Sequence, residues 1–300
     1  MSFDSAPAAD GFLGLPSVPL EKADAVVLPL PLERTVTYGK GTEGGPAAML
    51  DASFQVELYD EETRVDFEEG PPRIHTAPSL APAAAEGLTD YLERARERVA
   101  GFGGRFVLSL GGEHTVTYGA ALGAAAGARV GPSDLTIVQI DAHADLINEL
   151  DGRTWSHGTV MRRLREKGCR ILQIGVRSLA REEYDIADSD DGVKTFYAYE
   201  LEGRWEEALA GVRALRGPVY LTFDVDGFDP SVIPSTGTPQ PDGLTWRQGM
   251  AIFRALAGAP EARWIGADVV EFIPSPHPPG CDILAAKLAM KILAFRFSGR

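Results

Sequence analysis

Short runs of apolar residues recur along the chain, separated by longer stretches in which apolar and polar residues follow a helical spacing. The short runs are rich in Val, Ile and Leu and do not alternate strictly between apolar and polar positions. This lack of alternation is typical of strands that are buried on both faces of a sheet. Six such strands are predicted: Ala25–Leu30, Phe106–Leu110, Leu135–Asp141, Ile171–Gly175, Val219–Asp224 and Trp264–Val270.

Helical spacing dominates the stretches between these strands. The helix that begins at Trp246 has a start signal, because Thr245 is followed three residues later by Gln248 in a capping-box pattern. Strands and helices that alternate in this way predict an α/β fold with a mostly parallel central sheet and helices on both faces. Six helices are predicted: Ala83–Ala100, Val116–Ala126, Gly158–Lys167, Trp205–Leu215, Trp246–Ala257 and Ile283–Phe295.

One domain accounts for this pattern. No internal repeat and no low-complexity linker divides the 300 residues, and α/β domains often reach about 250 residues as one unit. We therefore expect a single domain over residues 1–300, with residues 1–24 as an extended N-terminal segment. The proline-rich stretch Pro274–Gly280 is predicted to be a loop that precedes the last helix.

The charge balance narrows the classes of function. The chain has 29 Lys+Arg against 43 Asp+Glu, a formal net charge of −14, which argues against nucleic-acid binding because that requires a basic face. A negative field favours a small cationic substrate. No apolar run approaches the roughly 20 residues of a membrane helix. With two cysteines and no secretion signal at its start, the chain is expected to be cytoplasmic with reduced thiols.

Polar motifs follow four of the predicted strands directly. Gly-Gly-Glu-His ends at His114, and Asp-Ala-His-Ala-Asp spans residues 141–145. Asp-Val-Asp-Gly-Phe-Asp-Pro spans residues 224–230, and Glu271 follows the last strand. Ligands of an open parallel sheet bind beyond the carboxyl ends of its strands. The four motifs are therefore expected to meet at one edge of the sheet.

The residue types in these motifs predict a metal site. If strand geometry persists, Asp141, His143 and Asp145 share one face, and the Asp-x-Asp motif at 224–226 repeats the spacing. Four aspartates at one edge repel one another unless a cation holds them. With His143 and His114 they form an oxygen-rich donor set with two nitrogens, which suits Mn²⁺ better than a thiolate-type zinc site. A pair of metal ions is the reading that uses all six side chains.

Together these motifs resemble those of the ureohydrolase superfamily, the binuclear manganese amidinohydrolases that include arginase, agmatinase and guanidinobutyrase. Further matching segments are Ser156-His157-Gly158, the Pro-Ser-Thr-Gly-Thr-Pro stretch at 234–239 and the upstream stretch Thr35–Pro46. The resemblance runs from the first predicted strand to the last helix and implies a three-layer arginase-like fold. It departs from the family at Glu113, where many members have Asp, and at Ser235, where others carry Gly or Ala.

The resemblance implies two manganese ions per subunit, which would activate a shared water towards a guanidinium carbon. Glu271 is implied to bind the guanidinium N–H groups in a bidentate contact, Asp145 to pass the proton of the water towards the leaving amine, and His157 to shuttle protons. One ion would be held by His114, Asp141, Asp145 and Asp224, the other by Asp141, His143, Asp224 and Asp226, so that Asp141 and Asp224 bridge.

The loop after Asp145 bears on the choice of substrate. Arginases carry an Asn two residues after that aspartate to help bind the amino-acid carboxylate, whereas this chain has Ile147. The resemblance is therefore closest to the agmatinase branch, which implies hydrolysis of agmatine to putrescine or of N1-aminopropylagmatine to spermidine. Guanidinobutyrase and arginase activities stay open, because Glu149 and Asp151 suit a distal amine while Arg153 suits a distal carboxylate.

Competing readings explain fewer of these residues. A zinc-dependent deacetylase-like amide hydrolase would leave His114, Asp145 and Asp226 without a role. A haloacid-dehalogenase-type phosphatase would use the motif at 224–227 and leave the Asp-x-His-x-Asp motif at 141–145 without a role. An inactive binding protein would not need the complete set of metal ligands. Asp229 is interpreted as structural and His75 and His277 as surface or loop residues. The family further implies a homotrimer or homohexamer. The acidic charge and the short apolar runs predict no nucleic-acid or membrane partner.

Overall fold

A computed structural model of the protein describes residues 11–275 and 280–299. Its strands are β1 (Ala25–Leu30), β2 (Ile74–Thr76), β3 (Phe106–Gly111), β4 (Thr136–Ile140), β5 (Arg170–Val176), β6 (Val193–Tyr197), β7 (Gly217–Asp224) and β8 (Ala262–Val270). They form one sheet in the order β2-β1-β3-β8-β7-β4-β5-β6, and every neighbouring pair is parallel. The mostly parallel sheet predicted from the sequence is confirmed.

The helices cover both faces of this sheet. They are α1 (Gly45–Ala52), α2 (Leu88–Ala100), α3 (Val116–Gly127), α4 (Val160–Glu166), α5 (Arg181–Ser189), α6 (Leu201–Arg213), α7 (Trp246–Ala257) and α8 (Cys281–Phe297). Residues of α1, α6, α7 and α8 contribute to one buried apolar cluster, while α2 to α5 pack against a second cluster on the opposite face. The three-layer arrangement is therefore confirmed.

The predicted elements are all present, with ends that shift by a few residues. The helix predicted from Trp246 has its capping box, in which the Thr245 hydroxyl accepts a hydrogen bond from the Gln248 N–H at 3.3 Å. The sequence analysis missed β2, β6, α1 and α5. Three of these have at most eight residues, and α5 is rich in acidic residues and buries only Glu183.

Part of the N-terminal segment packs against the domain. Within residues 11–24, short 3-10 turns span Phe12–Gly14 and Leu20–Lys22, and Phe12 and Leu13 are buried in one of the two apolar clusters. Residues 1–10 lie outside the described part of the chain. The single-domain reading and the cytoplasmic location stay predictions.

One sequence interpretation is wrong. His75 is buried in β2, where its Nδ1 lies 2.8 Å from the Val18 carbonyl oxygen, because this three-residue strand extends the sheet beside β1. His277 and most of the predicted proline-rich loop lie in residues 276–279, outside the described residues. Cys169 and Cys281 are buried free thiols. Across the described residues, we find no helix that combines the length and apolar character of a membrane span.

Candidate metal centre

Four strands that lie side by side in the sheet carry the candidate site. In the order β3-β8-β7-β4, these strands lead into His114, Glu271, Asp224 and Asp141 respectively. Because all four strands run in the same direction, their carboxyl ends open at one edge. The structure thus brings the four sequence motifs together, as predicted.

The first group of metal-ligating side chains surrounds His114. Its Nδ1 lies 3.1 Å from Asp141 Oδ2, 3.0 Å from Asp145 Oδ2 and 3.6 Å from Asp224 Oδ2. His114, Asp141 and Asp224 each offer a ligand atom, and these atoms lie within 4.8 Å of one another. Asp145 contacts His114 but does not belong to this tightest set.

The second group shares Asp141 with the first. His143 Nδ1 lies 3.1 Å from Asp226 Oδ2 and 3.6 Å from Asp141 Oδ1, and ligand atoms of all three residues lie within 4.8 Å of one another. Two adjacent groups therefore meet at one shared carboxylate. All six predicted ligands are in this cluster of histidines and aspartates, which is able to hold metal ions.

The Asp-x-His-x-Asp motif converges by a different route from the one considered in the sequence analysis. β4 ends at Ile140, so strand alternation does not continue through the motif. Instead the backbone turns, and Asp145 adopts a left-handed conformation with φ of 54°, which is uncommon for a residue other than glycine. Strained backbone of this kind is often found at functional sites.

Backbone N–H groups fix the orientation of the carboxylates. Asp141 Oδ1 accepts from the His143 N–H at 2.6 Å, Asp224 Oδ1 from the Asp226 N–H at 2.9 Å, and Asp226 Oδ1 from the Ala142 N–H at 3.1 Å. In addition, Gln139 Nε2 donates to Asp141 Oδ2 at 2.7 Å. The carboxylates are thus held in place before any cation arrives.

Arg177 stabilises the loops of the cluster through hydrogen bonds to their backbone, a role that the sequence analysis did not predict. Its guanidinium donates to the carbonyl oxygens of Asp226 at 2.7 Å, Phe228 at 3.2 Å and Gln240 at 2.9 Å. It thereby ties the 224–230 motif to the turn that follows it. Asp229 is structural, as expected, since its carboxylate accepts from the backbone N–H groups of Ser231, Asp242 and Gly243.

The buried carboxylates of the cluster favour the uptake of positive charge. Burial and the carboxylates of Asp226 and Asp141 raise the pKa of Asp224 well above its ordinary value. Although burial opposes protonation of His143, Asp226 and Asp141 raise its pKa to about 11. A cluster of this composition takes up cations, either protons or metal ions.

His114 provides a direct test of whether a metal fits. Its Nδ1 is buried and receives no hydrogen bond of good geometry from any described residue, although it lies among three aspartates. Its Nε2 lies 2.8 Å from the Thr222 hydroxyl. An imidazole anchored through one nitrogen, with the other free among carboxylates, is the arrangement of a metal-ligating histidine. The residues present therefore fit the implied group.

Glu271 lies beside the cluster and is anchored by it. Its Oε1 accepts the His114 N–H at 2.6 Å, while Oε2 receives no hydrogen bond from a described residue. Its backbone is also left-handed, with φ of 62°. Burial, with added repulsion from Glu113 and Asp226, raises the pKa of Glu271 to about 8, and a cationic partner would favour the ionised form.

The His157 imidazole contacts the Thr35 hydroxyl, which itself hydrogen-bonds to Glu113. The Thr35 hydroxyl lies 3.2 Å from His157 Nδ1 and donates to Glu113 Oε1 at 2.9 Å. Fully buried, Glu113 also accepts from the backbone N–H groups of Arg34 and Thr35, both at 2.6 Å. The sequence analysis noted Glu113 only as a departure from the family pattern, because nothing in the motif showed that it reaches a loop 79 residues upstream.

Close backbone packing explains the second glycine of the same motif. A β-carbon on Gly112 would clash with the backbone of Leu32, and the Gly112 N–H donates to the Leu30 carbonyl oxygen at 2.9 Å. This contact brings the 32–35 loop against the start of the His114 segment. A larger residue would displace the loop that carries Thr35.

A cavity of about 300 Å³ opens onto the cluster. Beyond the metal-ligating residues its walls are largely apolar, with Ile147, Leu150 and Leu179 among them, and Glu183 is the one charged wall residue outside the cluster, His157 and Glu271 among the described lining residues. The substrate-contact candidates named from the sequence, Glu149, Asp151 and Arg153, are exposed and are not part of this lining.

Comparison with known proteins adds an independent line of information. A model of the arginase family matches residues 23–294. The chain is 36% identical over 292 residues to an N(1)-aminopropylagmatine ureohydrolase of Synechocystis sp., covering 91% of this chain and 89% of that protein. It is 30% identical over 282 residues to an agmatinase of Pyrococcus horikoshii, covering 93% and 94%.

A solved structure shows the same similarity in three dimensions. Agmatine ureohydrolase of Thermoplasma volcanium superimposes with a TM-score of 0.79 at 27% identity, covering 93% of this chain and 92% of that one. The range matched by the arginase-family model, residues 23–294, includes all the strands and loops that carry the cluster.

Proposed function

The chain belongs to the arginase family of ureohydrolases, and from this premise we propose that it is a binuclear manganese amidinohydrolase that releases urea from a guanidino-alkylamine. Agmatine and N1-aminopropylagmatine are the substrates that we propose, with putrescine and spermidine as the respective products. The observation that carries the proposal is Asp141, whose carboxylate is shared by two adjacent groups of metal-ligating side chains.

We propose the two metal sites as follows. One ion would be held by His114, Asp141, Asp145 and Asp224, and the other by Asp141, His143, Asp224 and Asp226. The donor set of carboxylate oxygens and two imidazoles suits Mn²⁺. Two dications bound there would lower the pKa of a shared water, so that a hydroxide would be available beside the guanidinium carbon near neutral pH.

The residues of the chain then supply orientation and proton transfer. Glu271, anchored by the His114 N–H, accepts guanidinium N–H groups and places the guanidinium carbon against the cluster. Asp145 accepts a proton from the attacking water and passes it to the nitrogen that leaves as the amine. His157 exchanges protons between this site and solvent. Burial lowers the pKa of His157, so that its imidazole is available as a proton acceptor near neutral pH.

The cavity supports a substrate with a distal cation. Ile147 offers no hydrogen bond to an amino-acid carboxylate, and none of the described lining residues is a lysine or arginine. The single additional charge is the buried carboxylate of Glu183, fixed by the backbone N–H groups of Leu146 at 2.9 Å and Ala180 at 2.6 Å. A distal ammonium is therefore favoured over the carboxylate of arginine or 4-guanidinobutyrate.

Comparison of guanidines tests this proposal directly. Manganese-loaded protein is incubated with agmatine, N1-aminopropylagmatine, arginine and 4-guanidinobutyrate, and urea release is measured for each. We expect the highest kcat/KM for one of the first two. A preference for arginine or 4-guanidinobutyrate would refute the assignment of the cavity. Release of acetate from an acetylated lysine peptide, without urea from any guanidine, would favour the zinc deacetylase-like alternative.

The assembly state implied by the family is part of the proposal. We propose a homotrimer or homohexamer, and sedimentation equilibrium of the manganese-loaded protein would distinguish these from a monomer. A monomeric protein with full activity would show that the site is complete within one chain.

A further inference from the structure

A row of polar side chains lies inside the sheet, behind the metal-ligating residues. Strand register places Ser109 of β3 beside Asp268 of β8, and Asp268 beside Thr222 of β7. All three are fully buried. Burial of a carboxylate away from water is costly unless hydrogen bonds compensate, and none of the ion pairs among described residues involves Asp268. Packing alone would be served by an apolar residue at this position.

The hydrogen bonds to Asp268 all run in one direction. Asp268 Oδ2 accepts from the Thr117 hydroxyl at 2.9 Å and from the Tyr220 hydroxyl at 2.8 Å. Burial raises the pKa of Asp268, while hydrogen bonds from Thr222, Tyr220 and Thr117 oppose this rise. Since Oδ2 already accepts two hydrogen bonds, this oxygen carries no proton of its own to donate. The single hydroxyl proton of Thr117 is therefore committed to Asp268, which leaves only lone pairs of Thr117 Oγ1 for other partners.

Because the Thr117 proton is used in its hydrogen bond to Asp268, the donor in each of the next two hydrogen bonds is determined. Thr117 Oγ1 and Thr222 Oγ1 are 3.3 Å apart, and since Thr117 has no second proton, Thr222 is the donor. The lone pairs of Thr222 Oγ1 then face His114 Nε2 at 2.8 Å. A lone pair can only accept, so the proton of this contact resides on His114 Nε2.

We propose that Asp268 is a positioning residue that, through Thr117 and Thr222, keeps the proton of His114 on Nε2 and so reserves the Nδ1 lone pair for a metal ion. This inference rests on the proposed function, because it assigns a purpose to Nδ1 only if the site takes up a cation. A ligating histidine must present an unprotonated nitrogen, and the hydrogen bond of its other nitrogen decides which one that is. If these hydrogen bonds ran in the opposite direction, the proton of His114 would lie on Nδ1, between the imidazole and the aspartates.

Variants that interrupt the chain at different points test the proposal. Asp268→Leu removes the acceptor and keeps the branched shape of the side chain, and Thr117→Val removes the connecting hydroxyl while Asp268 stays in place. Thr117→Ser restores the hydroxyl, and Tyr220→Phe removes a donor to Asp268 that does not lead to His114. Mn²⁺ affinity is measured from the electron paramagnetic resonance signal of free Mn²⁺, and thermal unfolding shows whether each variant folds.

We expect Asp268→Leu and Thr117→Val to weaken Mn²⁺ binding by about 10-fold or more, the range typical of lost support for a ligating histidine. Thr117→Ser and Tyr220→Phe should stay within about 3-fold of the parent. If Asp268→Leu does not fold, Thr117→Val decides. Parent-like affinity in Thr117→Val would overturn the proposal.

Nuclear magnetic resonance detects the proton on His114 directly, and a purely structural role of Asp268 would not change its position. In protein labelled with ¹⁵N-histidine and loaded with Zn²⁺ as a diamagnetic probe, the Nε2–H of His114 should give a solvent-protected proton signal. That signal should be lost in Thr117→Val and regained in Thr117→Ser, whereas retention in both would overturn the proposal. If the parent binds metal but releases no urea, the proposed function fails while these two measurements still judge the role of Asp268.

Discussion

The Glu271 side chain accepts a hydrogen bond from the backbone N–H of His114 at 2.6 Å. The residue proposed to bind the guanidinium group is thus joined directly to a residue proposed to bind a metal ion. Their relative position is set where β3 and β8 end side by side in the sheet, and there the Glu271 N–H also donates to the Gly112 carbonyl oxygen at 2.9 Å. Substrate and metal are therefore positioned by one rigid unit, which is the condition for efficient orientation.

Substitution of a shared ligand should remove both metal ions and the activity. In Asp141→Asn one carboxylate oxygen becomes an amide nitrogen that cannot ligate, so one group of side chains loses a donor and the other keeps only a neutral amide oxygen. We expect urea release to fall by at least about 10³-fold, corresponding to several kcal/mol of lost electrostatic stabilisation. Metal content is measured by atomic absorption. Asp188→Asn, on the exposed face of α5, is the matched control, and full activity with two metals in Asp141→Asn would disprove the binuclear assignment.

Loss of His157 should separate proton transfer from metal binding. His157→Ala is expected to retain two metal ions and to lower kcat by about 10²-fold, the usual contribution of a positioned acid or base. Added imidazole should restore part of the rate, because it can occupy the space that the side chain leaves. If kcat is unchanged in His157→Ala, another group carries the proton.

Ile147 should act on substrate preference and leave catalysis intact. Ile147→Asn adds a hydrogen-bond donor to the cavity wall, and a new hydrogen bond to the arginine carboxylate is worth about 0.5–1.5 kcal/mol. We expect the ratio of kcat/KM for agmatine to that for arginine to fall by about 2- to 10-fold. Ile147→Val, which keeps the wall apolar, should leave the ratio unchanged. The same change in both variants would indicate a cavity effect without a new contact.

A buried ion pair outside the metal centre should contribute to stability. Lys291 of α8 is 3% exposed and lies 2.5 Å from the buried Asp60 carboxylate and 3.2 Å from that of Glu61. Asp60→Asn leaves the ammonium without its buried partner, which costs about 3–5 kcal/mol in comparable pairs. The double variant Asp60→Asn/Lys291→Met should recover most of this loss, and Asp185→Asn in an exposed pair should change little. Chemical denaturation measures all three.

The same pair predicts how stability depends on pH. Although burial opposes it, the Lys291 ammonium and Thr63 hold the pKa of Asp60 below its usual 3.8, so this contribution is present above about pH 3.8 and lost as the pH falls through the lowered value. Although burial again opposes it, Asp60 raises the pKa of Lys291 above 10.5, so its contribution is fully present below about pH 10.5 and is lost as the pH rises through the raised pKa. The double variant should lack both effects in melting curves taken across pH.

Sequence reasoning located the metal-ligating residues because they are contiguous in short motifs. The pattern Asp-x-His-x-Asp and the position of each motif after an apolar strand were sufficient to place His114, Asp141 and Asp224 at one edge. The supporting residues were missed because their partners are fixed by register between strands. Asp268 and Thr222 are neighbours across β7 and β8 but 46 residues apart in the sequence, and neither belongs to a polar motif.

Elements with weak patterns were missed for related reasons. β2 is three residues long and β6 lies at the outer edge of the sheet, where only two of its five residues are buried. Such strands lack the continuous apolar run that identified the central ones. The cavity wall was also misjudged, because the conformation of the irregular 147–153 loop does not follow from periodicity, and Glu183 comes from a helix that was not predicted.

The position of β8 in the sheet has a consequence for the folding of the chain during its synthesis on the ribosome. β8 is the strand that joins β2-β1-β3 to β7-β4-β5-β6, yet it is synthesised after all the other strands of the described residues. Until residues 262–270 have emerged, His114 lies in one half-sheet while Asp141 and Asp224 lie in the other. The nascent chain can therefore form two separate sheets but no complete metal centre, and competence for metal uptake arises only once β8 has been added between them.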